Sequence, residues 1–253
     1  MVHIVKTVEE AVADIPDGAT VMIGGFGTAG QPVELIEALV RHGATDLTVV
    51  NNNAGNGDVG LAALVGAGRV RKIVCSFPRQ FDSHHFDAKY KAGEIELELV
   101  PQGNLAERIR AAGAGIGGFF TPTGYGTPLA EGKEIREIDG KHYVLEFPIR
   151  ADFALIKAHV GDEVGNLTYH KTARNFGPIM ASAARTAIVQ VSRIVPAGQI
   201  DPENVVTPGI HTRRMVAVTA AWSPEPEAGQ GTCRARTCGA RHPAGLTGHA
   251  PRG

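Results

Sequence analysis

Ala19-Thr20-Val21-Met22-Ile23-Gly24-Gly25-Phe26-Gly27-Thr28-Ala29-Gly30-Gln31-Pro32 leads directly into Val33-Glu34-Leu35-Ile36-Glu37-Ala38-Leu39-Val40-Arg41. Ala19–Ile23 is a short apolar run and reads as a buried strand. After the glycine loop, Pro32–Arg41 reads as a helix, with proline at its first position and Gly43 past its end. The unit recurs outward. Leu47–Val50, ending on Asn51-Asn52-Asn53, and Lys72–Cys75 read as further strands. Ile95–Val100 alternates with period two, which predicts a strand near a sheet edge with Glu96 and Glu98 on a solvated face. Asn104 and Glu107 have capping-box spacing and predict a helix from there to about Ala112. Phe153–Ile156 and Ala187–Val191 read as strands flanking a helix near Ile179–Ala184, and Met215–Val218 is strand-like. This rhythm predicts an α/β fold, an open, largely parallel sheet with helices on both faces.

A chain of 253 residues, 43% hydrophobic with 32 glycines and one Trp, has the composition of a globular enzyme. At that length about three quarters of the unfolded surface can be buried. Lys and Arg number 25 against 26 Asp and Glu, so no strong field draws the chain to nucleic acid or an anionic membrane. The N-terminus has no basic and apolar leader pattern, and no run approaches the roughly 18 apolar residues of a membrane span. A cytoplasmic protein is expected. Three cysteines, with Cys75 isolated in an apolar run, give no disulfide framework. The composition shifts after Trp222, which divides the chain into a domain over 1–222 and a Gly-, Pro- and Arg-rich tail over 223–253. That tail reads as disordered or as out-of-frame translation. Cys233, Cys238, His242 and His249 within it lack the tight spacing of a zinc site, and no metal is expected.

Gly25-x-Gly27-x-x-Gly30, between strand and helix, fits the dinucleotide fingerprint. So do Gly55-x-Gly57-x-x-Gly60 and Gly113-x-Gly115-x-x-Gly118, which makes the pattern weak in so glycine-rich a chain. The acid required at the end of the next strand is replaced by Asn51-Asn52-Asn53, and Asp46 precedes that strand. A nicotinamide dehydrogenase is therefore disfavoured. The loop remains either a tight β-to-α turn or a place where backbone N–H groups meet an anion or a developing oxyanion. A ligand sensor on a related fold is the other alternative, although no basic helix-turn-helix precedes the α/β region.

Asp17–Pro32 resembles, at every specified position, the first signature of class I 3-oxoacid coenzyme A transferases. Pro101-Gln102-Gly103-Asn104-Leu105-Ala106-Glu107-Arg108, Phe120–Thr127, Thr172-Ala173-Arg174-Asn175-Phe176, Asp201-Pro202 and Thr207–Ile210 extend the likeness in order to about residue 218. The resemblance is to the first of two subunits. It implies that CoA moves between a thioester and a carboxylate by way of a glutamyl-CoA thioester on the second subunit, whose nucleophilic Glu has no counterpart here. A heterodimer or α2β2 heterotetramer is implied, with a CoA thioester as substrate and no permanently bound cofactor.

The resemblance makes Gln102 the side-chain donor of an oxyanion hole; a solvent-facing turn residue is the other reading. It places Asn51 and Asn52 near the reacting carbonyl, where capping of the following loop is equally open. Gly24, Gly25, Phe26, Gly27 and Gly30 would let backbone approach the acyl-CoA, with Gly124 and Tyr125 lining the same pocket. Ser76–Asp87 looks like the 3-oxoadipate branch, which implies transfer from succinyl-CoA to 3-oxoadipate, with acetoacetate or acetate as alternative acceptors. A dicarboxylate needs a cation at its far end, and Arg79, His84 and His85 are the candidates. Adjacent histidines on a helix are expected to diverge, so His84 and His85 should not face one ligand together.

Overall fold

The computed structural model describes residues 2–218; the tail assigned to 223–253, with its cysteines and histidines, lies outside them. The opening β1 (His3–Val5) and α1 (Val8–Val12) lead to the unit read first from the sequence, β2 (Thr20–Ile23) and α2 (Val33–His42). Pro32 stands immediately before α2. Gly43 follows it at φ 94° and donates its N–H to the Leu39 carbonyl, the left-handed stop that glycine permits. Next come β3 (Leu47–Val50), α3 (Leu61–Gly66), β4 (Val70–Cys75), α4 (His84–Lys91), β5 (Glu96–Leu99) and α5 (Gln102–Gly113). The chain then forms β6 (Phe119–Thr121), β7 (Ile135–Ile138) and β8 (Lys141–Glu146) before β9 (Ala151–Asp162). Last are β10 (Leu167–Thr168), α6 (Gly177–Ala183), β11 (Ala184–Val195) and β12 (Arg214–Ala217).

The main sheet runs β1-β12-β11-β9-β2-β3-β4-β5, and β10 adds to β9. Every neighbouring pair along that order is parallel; only β10 is antiparallel. Alternate side chains of each strand enter opposite layers. Val21, Ile23, Val49 and Ile73 pack with Val12, Leu35, Leu39, Leu61, Leu64 and Phe86 from α1 to α4. Met22, Val50, Val74 and Ala154 pack with Leu105, Ile109 and Met180 from α5 and α6 on the other face. Each fully buried Leu or Ile contributes ~1.5–3 kcal/mol, so both faces hold substantial cores. The expected α/β architecture is what forms. No helix among the described residues is long and apolar enough to cross a membrane.

Three expectations are corrected. First, α5 begins at Gln102, not beside Asn104, with Pro101 before it and no side-chain cap. Asn104 does not cap because it already lies within the first turn of α5, where its buried Nδ2 donates to Glu146 Oε1 at 3.2 Å. Second, β5 is the edge strand, but its glutamates are not simply solvated. Lys72 of neighbouring β4 reaches Glu96 at 2.8 Å and Glu98 at 3.0 Å. Third, β6, β7 and β8 form a separate three-stranded antiparallel sheet that the parallel rhythm did not predict.

Candidate functional site

Because β2 to β5 are parallel, their carboxyl ends lie along one edge, and each opens into a segment singled out from sequence. β2 gives Gly24, β3 gives Asn51, β4 gives Ser76, and β5 leads through Pro101 to Gln102. The chain moves outward from β2 through β3, β4 and β5, then returns at β9 on the opposite side of β2. Ligands in open α/β sheets bind outside the carboxyl ends near such a reversal.

The glycine loop is anchored by Gly24 N–H donating to Leu155 O at 2.9 Å. Phe26 and Ala29 exchange two backbone hydrogen bonds of 3.0 and 3.2 Å, which leaves the half-exposed Phe26 ring on a tight reversal. Gly27 enables the reversal at φ 61°. Gly25 is equally constrained at φ 122°, where a Cβ would come within 3.1 Å of Gln31 backbone. At Gly30 a Cβ would meet Ala173 O at 2.5 Å, and Asn175 Nδ2 donates to Ala29 O at 2.9 Å. The 172–176 segment is thus the seat of the loop, although Asn175 lies 146 positions after Ala29 in the chain.

Three amides and a hydroxyl line the adjoining strand ends. Asn51 is fully buried; its Nδ2 donates to Ile23 O at 2.6 Å and its Oδ1 accepts Asn53 N–H at 2.8 Å, so it ties β2 to the loop after β3. Asn52 Oδ1 accepts from Gln102 Nε2 at 2.9 Å and lies 2.8 Å from Ser76 Oγ. Gln102 is exposed at the first residue of α5. An amide nitrogen carries two hydrogens. One goes to Asn52, and the other faces outward at a helix N-terminus, which favours an acceptor that carries negative charge. Ser76 opens the Ser76–Asp87 segment quoted from sequence but was no site candidate there, because a lone serine after a strand carries no signal. Cys75, next to it, is no nucleophile at neutral pH: burial pushes its thiol up to about 12.

The other sequence candidates are placed less centrally. Arg79 follows β4, and its Nε donates to Asp87 Oδ1 at 2.6 Å. His84 Nδ1 lies 2.9 Å from Asp82 Oδ1, and that partner holds its pKa above the ordinary imidazole value. The expectation that His84 and His85 diverge is wrong. Their Nε2 atoms both meet Asp58 Oδ1, at 3.2 and 2.9 Å, with ring centroids 4.1 Å apart. They can converge because they open α4, where Asp58 of the neighbouring loop reaches both. Among the described residues these three form the group with ligand atoms close enough for a metal, but it is largely exposed and its atoms already bond one another. Tyr125 stacks on His142 of β8 at 4.6 Å. Gly124, at φ 95°, accepts from Thr127 Oγ1 through its carbonyl. Their loop is joined to α5 by Asn104 Nδ2 donating to Thr123 O at 3.4 Å. A groove of about 420 Å³ runs along one face of the same strands, lined by Thr20, Thr48, Lys72, Glu96 and Arg108 among others. None of the glycine-loop or amide residues lines it.

The family model for coenzyme A transferase matches residues 5–217. The chain belongs to the coenzyme A transferase family. It is 67% identical over 216 residues to the first subunit of the 3-oxoadipate CoA-transferase of Pseudomonas putida, covering 85% of this chain and 94% of that protein. It is 51% identical over 202 residues to the corresponding subunit of a succinyl-CoA:3-ketoacid coenzyme A transferase of Xanthomonas campestris, covering 80% of this chain and 83% of the relative. The crystal structure of glutaconate coenzyme A-transferase from Acidaminococcus fermentans shares the fold, with TM-score 0.75 at 22% identity over 85% of this chain and 75% of that one. Membership in this transferase family removes the dehydrogenase and sensor alternatives. It also agrees with the amides that stand where a dinucleotide enzyme would carry an acid.

Proposed function

We propose that this transferase chain is the acyl-CoA-binding subunit of a two-subunit enzyme that moves CoA from succinyl-CoA to 3-oxoadipate. The observation that carries the reading is the Gln102 amide, fixed by Asn52 at the start of α5 with a second N–H to give. A carboxylate attacking a thioester places negative charge on the carbonyl oxygen, the charge such a donor stabilises. The attacking group comes from elsewhere. Residues 24–31, 51–60, 76–83 and 100–104, which make up the edge, contain no glutamate, and their two aspartates, Asp58 and Asp82, are engaged by His84 and His85. A glutamate of a second subunit then attacks the thioester carbon, the C–S bond breaks, and the CoA thiolate adds to the resulting anhydride at the glutamyl carbonyl. Succinate leaves with the C–O bond electrons, and the acceptor carboxylate repeats the sequence in reverse. This chemistry needs no resident cofactor beyond the CoA thioester substrate. A cytoplasmic heterodimer or α2β2 heterotetramer fits the reading, with neither nucleic acid nor membrane involved.

The relative from P. putida is named for 3-oxoadipate, and its 67% identity supports that acceptor here. Arg79 is the side chain we assign to the distal carboxylate. Asp87 engages its Nε, and the two Nη groups remain to form a charge-assisted pair. With the two-subunit enzyme assayed against 3-oxoadipate, acetoacetate and acetate, turnover should be fastest with 3-oxoadipate. Arg79→Met should raise KM for 3-oxoadipate by about tenfold or more while leaving acetoacetate unchanged, as loss of a charged hydrogen bond predicts. Equal effects on both acceptors would remove Arg79 from recognition.

A further inference from the structure

Glu146 closes β8 and is only 3% exposed, a carboxylate buried where α5 meets the antiparallel sheet. Its Oε1 accepts from Lys133 Nζ at 2.7 Å and from Asn104 Nδ2 at 3.2 Å, and its Oε2 lies 3.7 Å from Arg108 Nε. Asn104, also 3% exposed, sits two residues after Gln102 in the first turn of α5 and donates as well to Thr123 O. Arg108 is stitched to the residues after Glu146: its Nε donates to Phe147 O at 2.7 Å, and its carbonyl accepts Ile149 N–H at 3.0 Å. One carboxylate therefore joins the start of α5, the Thr121–Gly126 loop and the turn that carries Lys133. Burying a carboxylate is costly unless its partners are fixed, and apolar packing could hold the helix without that cost. What the charged network adds is a defined orientation of the helix start.

We infer that Glu146 is a positioning residue for acyl transfer, acting through Asn104 to fix the first turn of α5 and with it the Gln102 amide. This inference rests on Gln102 being the carbonyl donor. Its test is a double-mutant cycle on the assembled two-subunit enzyme, with kcat and KM measured for wild type, Glu146→Gln, Gln102→Ala and the double variant. Glu146→Gln keeps the size of the side chain but removes the charge facing Lys133. It should lower kcat about tenfold, a coupling typical of residues in one network. KM for the acyl-CoA should stay within about twofold, because the lost interaction is felt only in the transition state. In the Gln102→Ala background the same substitution should cost nothing further. An equal loss in both backgrounds, or an unchanged kcat, would overturn the inference. Gln102→Ala with unchanged kcat would instead sink the donor reading on which it rests. If Glu146→Gln fails to assemble, Asn104→Ala carries the same cycle, since it leaves the carboxylate with Lys133 and Arg108. Failure of both to assemble would make the network structural alone and contradict the proposal.

Discussion

Gln102 combines exposure with restraint: its side chain is open to a ligand, yet one amide hydrogen is committed to Asn52. A donor held before the reaction begins loses little to reorganisation when charge develops. Gln102→Ala should therefore lower kcat of the assembled enzyme about 10²- to 10³-fold with little change in how the two subunits associate, measured by steady-state kinetics and analytical gel filtration. At Gly30 the constraint is steric. Its φ of 75° and the Ala173 carbonyl leave no room for a methyl group, so Gly30→Ala should destabilise the chain by at least about 2 kcal/mol, read as a lower urea midpoint. The glycine loop was legible from its place between strand and helix, whereas Gln102 became a candidate only through the family resemblance. Ser76 and Glu146 were not legible, because their meaning lies in partners 24 and 42 positions away. Asn51 ties the loop, whereas Asn52 accepts from the Gln102 amide, a division of labour that two identical neighbours conceal in sequence.

The pairing of β4 with β5 shows how an element's electrostatics depend on its neighbour. Burial pushes the Glu98 carboxyl up, but Lys72 and Arg108 together outweigh it and hold the pKa below the ordinary 4.5. Glu96, then Glu98, raise Lys72 above 10.5 against the opposing effect of burial. A depressed carboxylate contributes stability that is present above its unfolded pKa and is lost as pH falls through the folded value. A raised lysine contributes below its unfolded pKa, and the contribution is lost as pH rises through the folded one. The melting temperature should therefore fall below about pH 4.5. Glu98→Gln should flatten that acid limb; an unaltered limb would show that the pair does not stabilise the edge. Most main-sheet strands were legible as apolar runs, since burial on both faces leaves little polar alternation. The small sheet was missed, although Asp139 at φ 51° and Gly140 at φ 72° form the two-residue reversal that Asp-Gly favours between β7 and β8. Ile135–Ile138 is exposed throughout, so no apolar face announced a strand around that turn.

At the scale of the molecule, the strand order gathers the candidate site. Insertion of β2 between β3 and β9 brings the glycine loop, the asparagines and Gln102 to one sheet edge, and the late 172–176 segment then seats the glycine loop. Local patterns predict strands and helices but not which strand lies beside β2, because that depends on long-range packing of both layers. The return to β9 and the parallel pairing of β1 with β12 were for that reason absent from the sequence reading. The edge so assembled supplies a backbone loop and amide donors but no glutamate. The most direct measurement is the rate of CoA transfer from succinyl-CoA to 3-oxoadipate, at fixed concentration of this chain, as the proposed second subunit is titrated in. Transfer should be undetectable at zero partner and should rise to a plateau at a fixed stoichiometric ratio. Turnover by this chain alone, undiminished by rigorous removal of the partner, would contradict the account.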